Sequence, residues 1–267
     1  MAFHAHQLDT QALLPQLLEL DAEVHAGLME NALDVVANRA RAHEVRSVLD
    51  AGAGTGAATF QLAGRFPDAQ VVAVDTDPAM TRLVQARAAT EGADQVVAAT
   101  RDILSPGLAP DSVDLVWSSS VFHELKDPDA VLTGLFGLLR PGGVLAVIEM
   151  DTSPRLLPDG YAELESRLRQ SAGADLPSPD WTTSIRLAGF DLETVRVLTS
   201  DQDLPADGPG GAYARLELQR LALHAGHRLS DADRSVLTAL YTGQSPETFP
   251  ARVRLRGART LWVARRP

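Results

Sequence analysis

The sequence predicts an α/β protein built on a doubly wound, mostly parallel β-sheet. Short apolar runs alternate with helix-compatible segments from Val48 to Met150. A glycine-rich turn follows the first apolar run, and proline-containing signals begin or end several of the helices. Strands and helices that alternate at this length favour parallel strands joined by crossover helices.

Composition limits the classes of partner. The chain has 267 residues, 45% of them hydrophobic, enough for one large domain with additions or for a domain and a half. A net charge of −11 argues against nucleic acid or an anionic membrane, because clustered Lys and Arg bind phosphate groups. No cysteine is present, which excludes disulfides and thiolate chemistry. Without a secretory or membrane-spanning pattern, a soluble cytoplasmic protein is expected.

The N-terminal segment predicts helices. Residues 10–41 carry two amphipathic patterns with a break near His25 and Gly27. We expect a helical cap at residues 1–44. It serves either as a packing layer or as part of a lid over a ligand, and the two roles are compatible.

The first strand leads into the sequence VLDAGAGTG at Val48–Gly56. Glycine allows a sharp turn out of a strand and lets a ligand approach backbone N–H groups at a helix N-terminus. The stretch therefore predicts a cofactor turn. Its spacing, Gly52-x-Gly54-x-x-Ala57, also fits the dinucleotide fingerprint, which is a weak signal alone.

The second predicted strand ends in acidic residues. VVAVDTD at residues 71–77 places Asp75 a little over 20 residues after the first glycine, the offset at which a carboxylate accepts ribose hydroxyls. Asp77-Pro78 predicts an N-cap and the start of a helix that includes Met80, and Asp127-Pro128 predicts a second N-cap and helix start in the same way. Further strands are expected near residues 95–100, 113–117 and 144–150.

Four motifs along the chain together form a family pattern. The GAGTG turn, the strand VDLVW, the turn SSSVFHELKDP and a helix that ends in LRPGG stand in this order. Together they resemble the class I S-adenosylmethionine-dependent methyltransferases over Val48–Met150. The resemblance implies a Rossmann-like domain at residues 45–267, with a seven-stranded sheet whose terminal strand is antiparallel. A dinucleotide enzyme would instead continue the βαβ alternation, yet the chain becomes helical and irregular after Asp151.

The resemblance also implies the cofactor and its site. S-adenosylmethionine is expected, with S-adenosylhomocysteine as product. Asp102 would bond the adenine amino group and Ile103 would pack on the ring. The predicted cofactor-binding residues are Asp50, Gly52, Ala53, Gly54, Gly56, Asp75, Thr76, Met80, Asp102, Ile103, Ser118 and Ser119.

Two stretches exceed the minimal fold. We expect helical insertions at about 151–185 and 203–250, packed near the carboxyl edge of the sheet. A helical interface in a homodimer explains them nearly as well. Residues 252–256 and 260–264 are predicted as two strands that flank Gly257.

The acceptor site is less well specified. His123 follows the fourth strand and is predicted as a general base or a positioning residue, and Glu124 either holds it or faces solvent. The predicted acceptor pocket is enclosed and lies between the cap and the turn at residues 118–123, lined by Asp151, Arg155, Tyr161 and Trp181. No metal is expected, because the carboxylates are spread over different strands. The predicted activity is methyl transfer to a small-molecule O, N or C nucleophile; a protein methyltransferase and a non-catalytic cofactor-binding protein are the alternatives.

Overall fold

The structure, a computed structural model, describes residues 2–41, 44–175, 179–242 and 249–267, with side chains from residue 12 onward. The predicted insertions at about 151–185 and 203–250 each include residues outside these ranges. The helices are α1 (Ala2–Val24), α2 (Ala26–Ala40), α3 (Ala57–Arg65), α4 (Pro78–Glu91), α5 (Pro128–Leu138), α6 (Ala162–Ala172), α7 (Thr182–Leu187), α8 (Pro209–Ala225) and α9 (Asp231–Thr242). The strands are β1 (Ser47–Ala51), β2 (Gln70–Asp75), β3 (Val96–Thr100), β4 (Val113–Ser119), β5 (Leu139–Met150), β6 (Asp191–Pro205) and β7 (Arg252–Arg265).

The strands form one seven-stranded sheet in the order β3-β2-β1-β4-β5-β7-β6. The pairs from β3 to β5 are parallel, and β7 runs antiparallel to β5. This confirms the predicted α/β class and the antiparallel terminal strand. One expectation is wrong: β7 continues through Gly257 as a single strand instead of dividing into two.

Apolar side chains on both faces explain why the sheet is doubly wound. In β1, Val48 belongs to one buried cluster and Leu49 to another, since successive side chains of a strand point to opposite faces. The first cluster includes Leu33 of α2 and Leu62 of α3. The second includes Leu132 of α5. Each face of the sheet is therefore covered by helices.

The helix starts follow local capping chemistry. The side chain of Asp77 accepts a hydrogen bond from Ala79 N, with proline at the first turn of α4. Asp127 accepts one from Ala130 N at the start of α5, again with a following proline. Both predicted N-caps are confirmed, and they fix where each chain segment leaves the carboxyl edge of the sheet.

The chain divides into two compact units. One contains residues 1–26, 151–177 and 199–258; the other contains residues 27–150, 178–198 and 259–267. The domain boundaries predicted from sequence, a cap at 1–44 and a domain at 45–267, stay a prediction. No helix in the described ranges is long and apolar enough to cross a membrane.

The first unit has a helical core of its own. Apolar residues of α1, α6, α8 and α9, such as Leu17, Leu168, Leu218 and Leu237, form one buried cluster. Buried Glu165 of α6 supports the approach to this helix, because its two carboxylate oxygens accept hydrogen bonds from the backbone N–H groups at 156 and 157, at 2.7 and 3.1 Å.

Replacing Glu165 by alanine should destabilise this unit. The change leaves two buried backbone donors without their acceptor, which costs about 1 to 3 kcal/mol for each unsatisfied group. Urea unfolding followed by circular dichroism measures the loss. The matched control is Glu163→Ala on the same helix, where the side chain is almost fully exposed and a change within about 0.5 kcal/mol is expected. Equal effects of the two substitutions would contradict this account.

Candidate active site

The glycine turn between β1 and α3 is held by its own backbone and by Asp75. Gly52 N and Ala53 N both donate to Val74 O at 2.9 Å, so the turn is fastened to the end of β2. Gly54 N donates to Asp75 Oδ2, also at 2.9 Å. The structure therefore brings the predicted glycine turn and the predicted ribose carboxylate into direct contact.

Two of these glycines are required by sterics. Gly52 has φ +82°, and a Cβ there would overlap the side chain of Val121 in the turn that follows β4. Gly56, with φ +87°, caps α3, and a Cβ there would lie 2.8 Å from Val84 Cγ2. Residues with a Cβ rarely adopt these angles. The missing side chain at Gly52 also lets the glycine turn and the β4 turn approach each other closely.

The turn at Asp75 continues into α4. Asp75 Oδ1 accepts from Asp77 N at 2.8 Å, so each carboxylate oxygen already accepts one backbone hydrogen bond. A carboxylate oxygen has two lone pairs, which leaves acceptor capacity on both atoms for ribose hydroxyls. Thr76 lies between these two aspartates, and Met80 is buried in the first turns of α4. The residues present therefore fit an adenosyl ribose.

Asp50 is a buried carboxyl with little compensation. It is 1% exposed, and the hydroxyl of Thr59 donates to its Oδ2 at 2.6 Å. Burial raises the pKa of Asp50 from 3.8 to about 7; the Thr59 hydrogen bond lowers it, and the nearby charge of Asp75 raises it further. The carboxyl thus gains and loses its proton near neutral pH.

Serines at the end of β4 connect this strand to β1 and β5. Ser118 Oγ, fully buried, donates to Ala51 O at 3.0 Å. Ser119 is partly buried, and Ser120 adopts φ +57° while its N–H donates to Ile148 O at 2.8 Å. These bonds direct the next residues toward the carboxyl edge, where the glycine turn lies.

The predicted adenine residues lie just past β3. Asp102 is exposed, and its Oδ1 accepts from Leu104 N at 2.8 Å, which closes a tight turn. Ile103 is 8% exposed and belongs to the same buried cluster as Leu49 and Val74. An exposed carboxylate beside an apolar side chain can bond and pack against a purine ring.

His123 is held by a carboxylate that sequence reasoning left unassigned. Its Nδ1 lies 2.6 Å from Glu149 Oε2, where β5 nears its end. Glu149 Oε1 accepts from Val121 N at 2.7 Å and Phe122 N at 2.8 Å, and the side chain is completely buried. Glu124 Oε1 lies 3.8 Å from His123 Nε2, and the Glu124 side chain is 80% exposed. Glu149, rather than Glu124, therefore fixes the ring.

The residues predicted to line an acceptor pocket belong to different units. Asp151, Arg155 and Tyr161 belong to the first, where Arg155 bridges to Arg256 through the backbone. Trp181 belongs to the second, where it packs edge-on against Phe122 with ring centroids 5.5 Å apart. Its buried indole N–H has no hydrogen-bond partner among the described residues. Because buried polar groups are usually hydrogen-bonded, this N–H is a candidate donor to a ligand.

Acidic side chains at this edge do not converge as a metal site. Within the described ranges, no group of three His, Asp or Glu residues is placed to hold an ion. The absence of a metal from the reaction stays a prediction.

Sequence reasoning also missed Thr59, the hydroxyl donor to Asp50, although its place in the first turn of α3 follows from the glycine turn.

Comparisons with known proteins show the family to which the chain belongs. A family model described as a methyltransferase domain matches residues 42–189, more than half of the chain. A trans-aconitate 2-methyltransferase from Methylobacterium radiotolerans is 35% identical over 205 residues, 77% of this chain and 71% of that protein. A malonyl-[acyl-carrier protein] O-methyltransferase from Laribacter hongkongensis is 33% identical over 64% of this chain and 63% of its own.

The fold is also found among solved structures. A geranyl diphosphate C-methyltransferase from Streptomyces coelicolor A3(2) superposes with a TM-score of 0.54 at 14% identity, covering 93% of this chain and 82% of that one. This likeness concerns the architecture of the chain.

The buried carboxyl of Asp50 predicts a pH-dependent stability. A carboxyl whose pKa is raised on folding stabilises the folded state fully below its unfolded pKa, and this contribution is lost as pH rises through the folded value near 7. Asp50→Asn keeps an acceptor for Thr59 and removes the titration. From about pH 6 to about pH 8, the wild type should lose about 1.4 kcal/mol of unfolding free energy relative to the variant. Urea unfolding at both pH values tests this, and parallel pH dependence would contradict it.

Proposed function

Because this chain belongs to the class I S-adenosylmethionine-dependent methyltransferases, we propose that its glycine turn and Asp75 bind S-adenosylmethionine and that it methylates a small carboxylic acid. The contact between Gly54 N and Asp75 Oδ2 carries the cofactor part of this proposal. Bound there, the cofactor supplies a sulfonium methyl group, which a nucleophile can take while sulfur leaves as a neutral thioether.

Each part of the cofactor is assigned to particular residues. Asp75 accepts the ribose hydroxyls, and Asp102 with Ile103 receives the adenine. Asp50, buried beside the glycine turn, is stabilised as a carboxylate by a cationic ligand, since opposite charge favours the ionised form. The turn at 52–56 leaves room for the ligand because its glycines have no side chains.

The acceptor assignment comes from the relatives. Their names specify trans-aconitate and malonyl-[acyl-carrier protein] as substrates, and both molecules carry carboxyl groups. A carboxylate is ionised at neutral pH, so it attacks without a general base. Methyl transfer then depends mainly on holding the nucleophile close to the methyl carbon and in line with the C–S bond. The carboxyl edge of the sheet can provide such positioning, because its side chains and turns are held in place by backbone hydrogen bonds.

The role of Asp75 is tested by Asp75→Asn. Loss of the negative charge weakens hydrogen bonds to the ribose, and affinity for S-adenosylhomocysteine should fall about tenfold or more in calorimetry. The matched control is Asp77→Asn, which keeps a good N-cap on α4 two residues away and should change affinity less than about twofold. Unchanged affinity in Asp75→Asn would refute the cofactor assignment.

The acceptor class is tested by the alkali lability of the product. The enzyme is incubated in EDTA with methyl-labelled cofactor and either trans-aconitate or a malonyl thioester. Methyl esters of carboxylic acids release labelled methanol in base, whereas methyl ethers and N-methyl groups do not. We expect alkali-labile label from at least one acid. Label that transfers only to alkali-stable products from hydroxyl or amine acceptors would overturn the carboxylate assignment, and activity that requires added magnesium would overturn the metal-free one.

A further inference from the structure

Glu149 is a fully buried carboxylate with three donors around it. Oε1 accepts from Val121 N and Phe122 N, and Oε2 lies 2.6 Å from His123 Nδ1. An isolated buried charge is costly, so a carboxylate at 0% exposure is kept only by such compensation. Two of the donors are backbone groups of the turn that carries His123. Glu149 therefore orders both this turn and the ring.

The contact determines which proton the imidazole carries. An ionised carboxylate only accepts hydrogen bonds, so Nδ1 of His123 must be the protonated nitrogen that donates to Glu149. The adjacent negative charge also stabilises the imidazolium form, in which Nε2 carries a proton as well. The His123 side chain is 34% exposed, so a small molecule can reach the ring.

A second carboxylate and an indole lie near the ring. On its own turn, Glu124 Oε1 lies 3.8 Å from Nε2 and favours the same charged form. Because the Glu124 side chain is largely exposed, it can turn into solvent when another anion arrives. Trp181, the uncharged residue just before α7, packs on Phe122, the neighbour of His123.

The ring also belongs to the cofactor edge. Val121, two residues before His123, lies against Gly52 so closely that a Cβ on Gly52 would overlap it. Ser118 of the same strand end donates to Ala51 O. The turn that carries His123 and the turn assigned to the cofactor are thus in contact within one compact unit.

We propose that Glu149 is a positioning residue that holds His123 as an imidazolium, whose Nε2–H binds one oxygen of the acceptor carboxylate and leaves the other oxygen for methylation. This rests on the proposed function. The new C–O bond forms as the C–S bond breaks, the bonding electrons stay on sulfur, and no proton moves. The neutral ester no longer pairs with the imidazolium, which favours its release.

Kinetics combined with NMR of the histidine ring tests this proposal. At saturating cofactor, kcat/KM for the acid acceptor should fall as pH rises and the imidazolium of His123 loses its Nε2 proton. In Glu149→Gln, which keeps the size of the side chain, KM should rise about tenfold through loss of the charge-assisted contact, and kcat should change less. The falling limb and the NMR titration of His123 should both move to lower pH by about one unit or more. Affinity for S-adenosylhomocysteine should stay within about twofold.

Two further variants keep the proposal testable if Glu149→Gln does not fold. His123→Gln retains an N–H donor without a titration, so its pH profile should be flat while KM rises less than in His123→Ala. His227→Ala, at an exposed histidine of the first unit, is the matched control for loss of an imidazole.

Each outcome decides between specific alternatives. A wild-type profile that rises with pH, and that becomes flat in His123→Gln, would identify His123 as a general base and overturn the imidazolium. A falling limb and a His123 titration unmoved in Glu149→Gln, or a falling limb that persists in His123→Gln, would overturn the positioning role. If the wild type esterifies no acid at all, the acceptor assignment fails, whereas the NMR titrations still show whether Glu149 holds the imidazolium.

Discussion

The close approach of Gly52 to Val121 is the constraint on which the rest of the candidate site depends. It is possible only because the glycine has no side chain and adopts φ +82°. On one side of the contact, the glycine turn is fastened to Val74 and Asp75. On the other side, the β4 turn is fastened to Glu149. A single steric condition therefore brings the proposed cofactor groups beside the proposed acceptor group.

The carboxylates at this edge differ in how far the fold compensates their charge. Asp50 has one hydroxyl donor and a like charge in Asp75, and burial raises its pKa to about 7. Glu149 is equally buried but has two backbone donors and an imidazole. We propose that a cationic ligand stabilises the ionised form of Asp50, whereas Glu149 orders a neighbouring ring. Hydrogen-bond number, and not burial alone, separates the two roles.

The second unit resembles the minimal methyltransferase fold with its sheet and covering helices, and the first unit adds a helical core assembled from three separate stretches of the chain. The first unit and the active-site edge share one kind of interaction, a buried glutamate that accepts backbone hydrogen bonds. Buried Glu165 accepts two successive backbone N–H groups, as Glu149 does in the other unit. In both places a buried glutamate orders a segment that has no regular secondary structure to satisfy its donors.

The sequence by itself determined the order of strands and helices, the glycine turn, both Asp-Pro helix starts and the place of Asp75, because these depend on local propensity, capping and short spacing. It failed at Gly257, where β7 continues as one strand. On one side of this glycine Arg256 bridges to Arg155, and on the other side the pairing with β5 begins at Arg259. It left open which acid holds His123. Only the tertiary structure decided that: the register that pairs Ser119 with Ile148 places the next residue of β5, Glu149, beside the turn after β4, while Glu124 remains in solvent. Strand register is set by packing across the whole sheet, and adjacency in the chain does not reveal it.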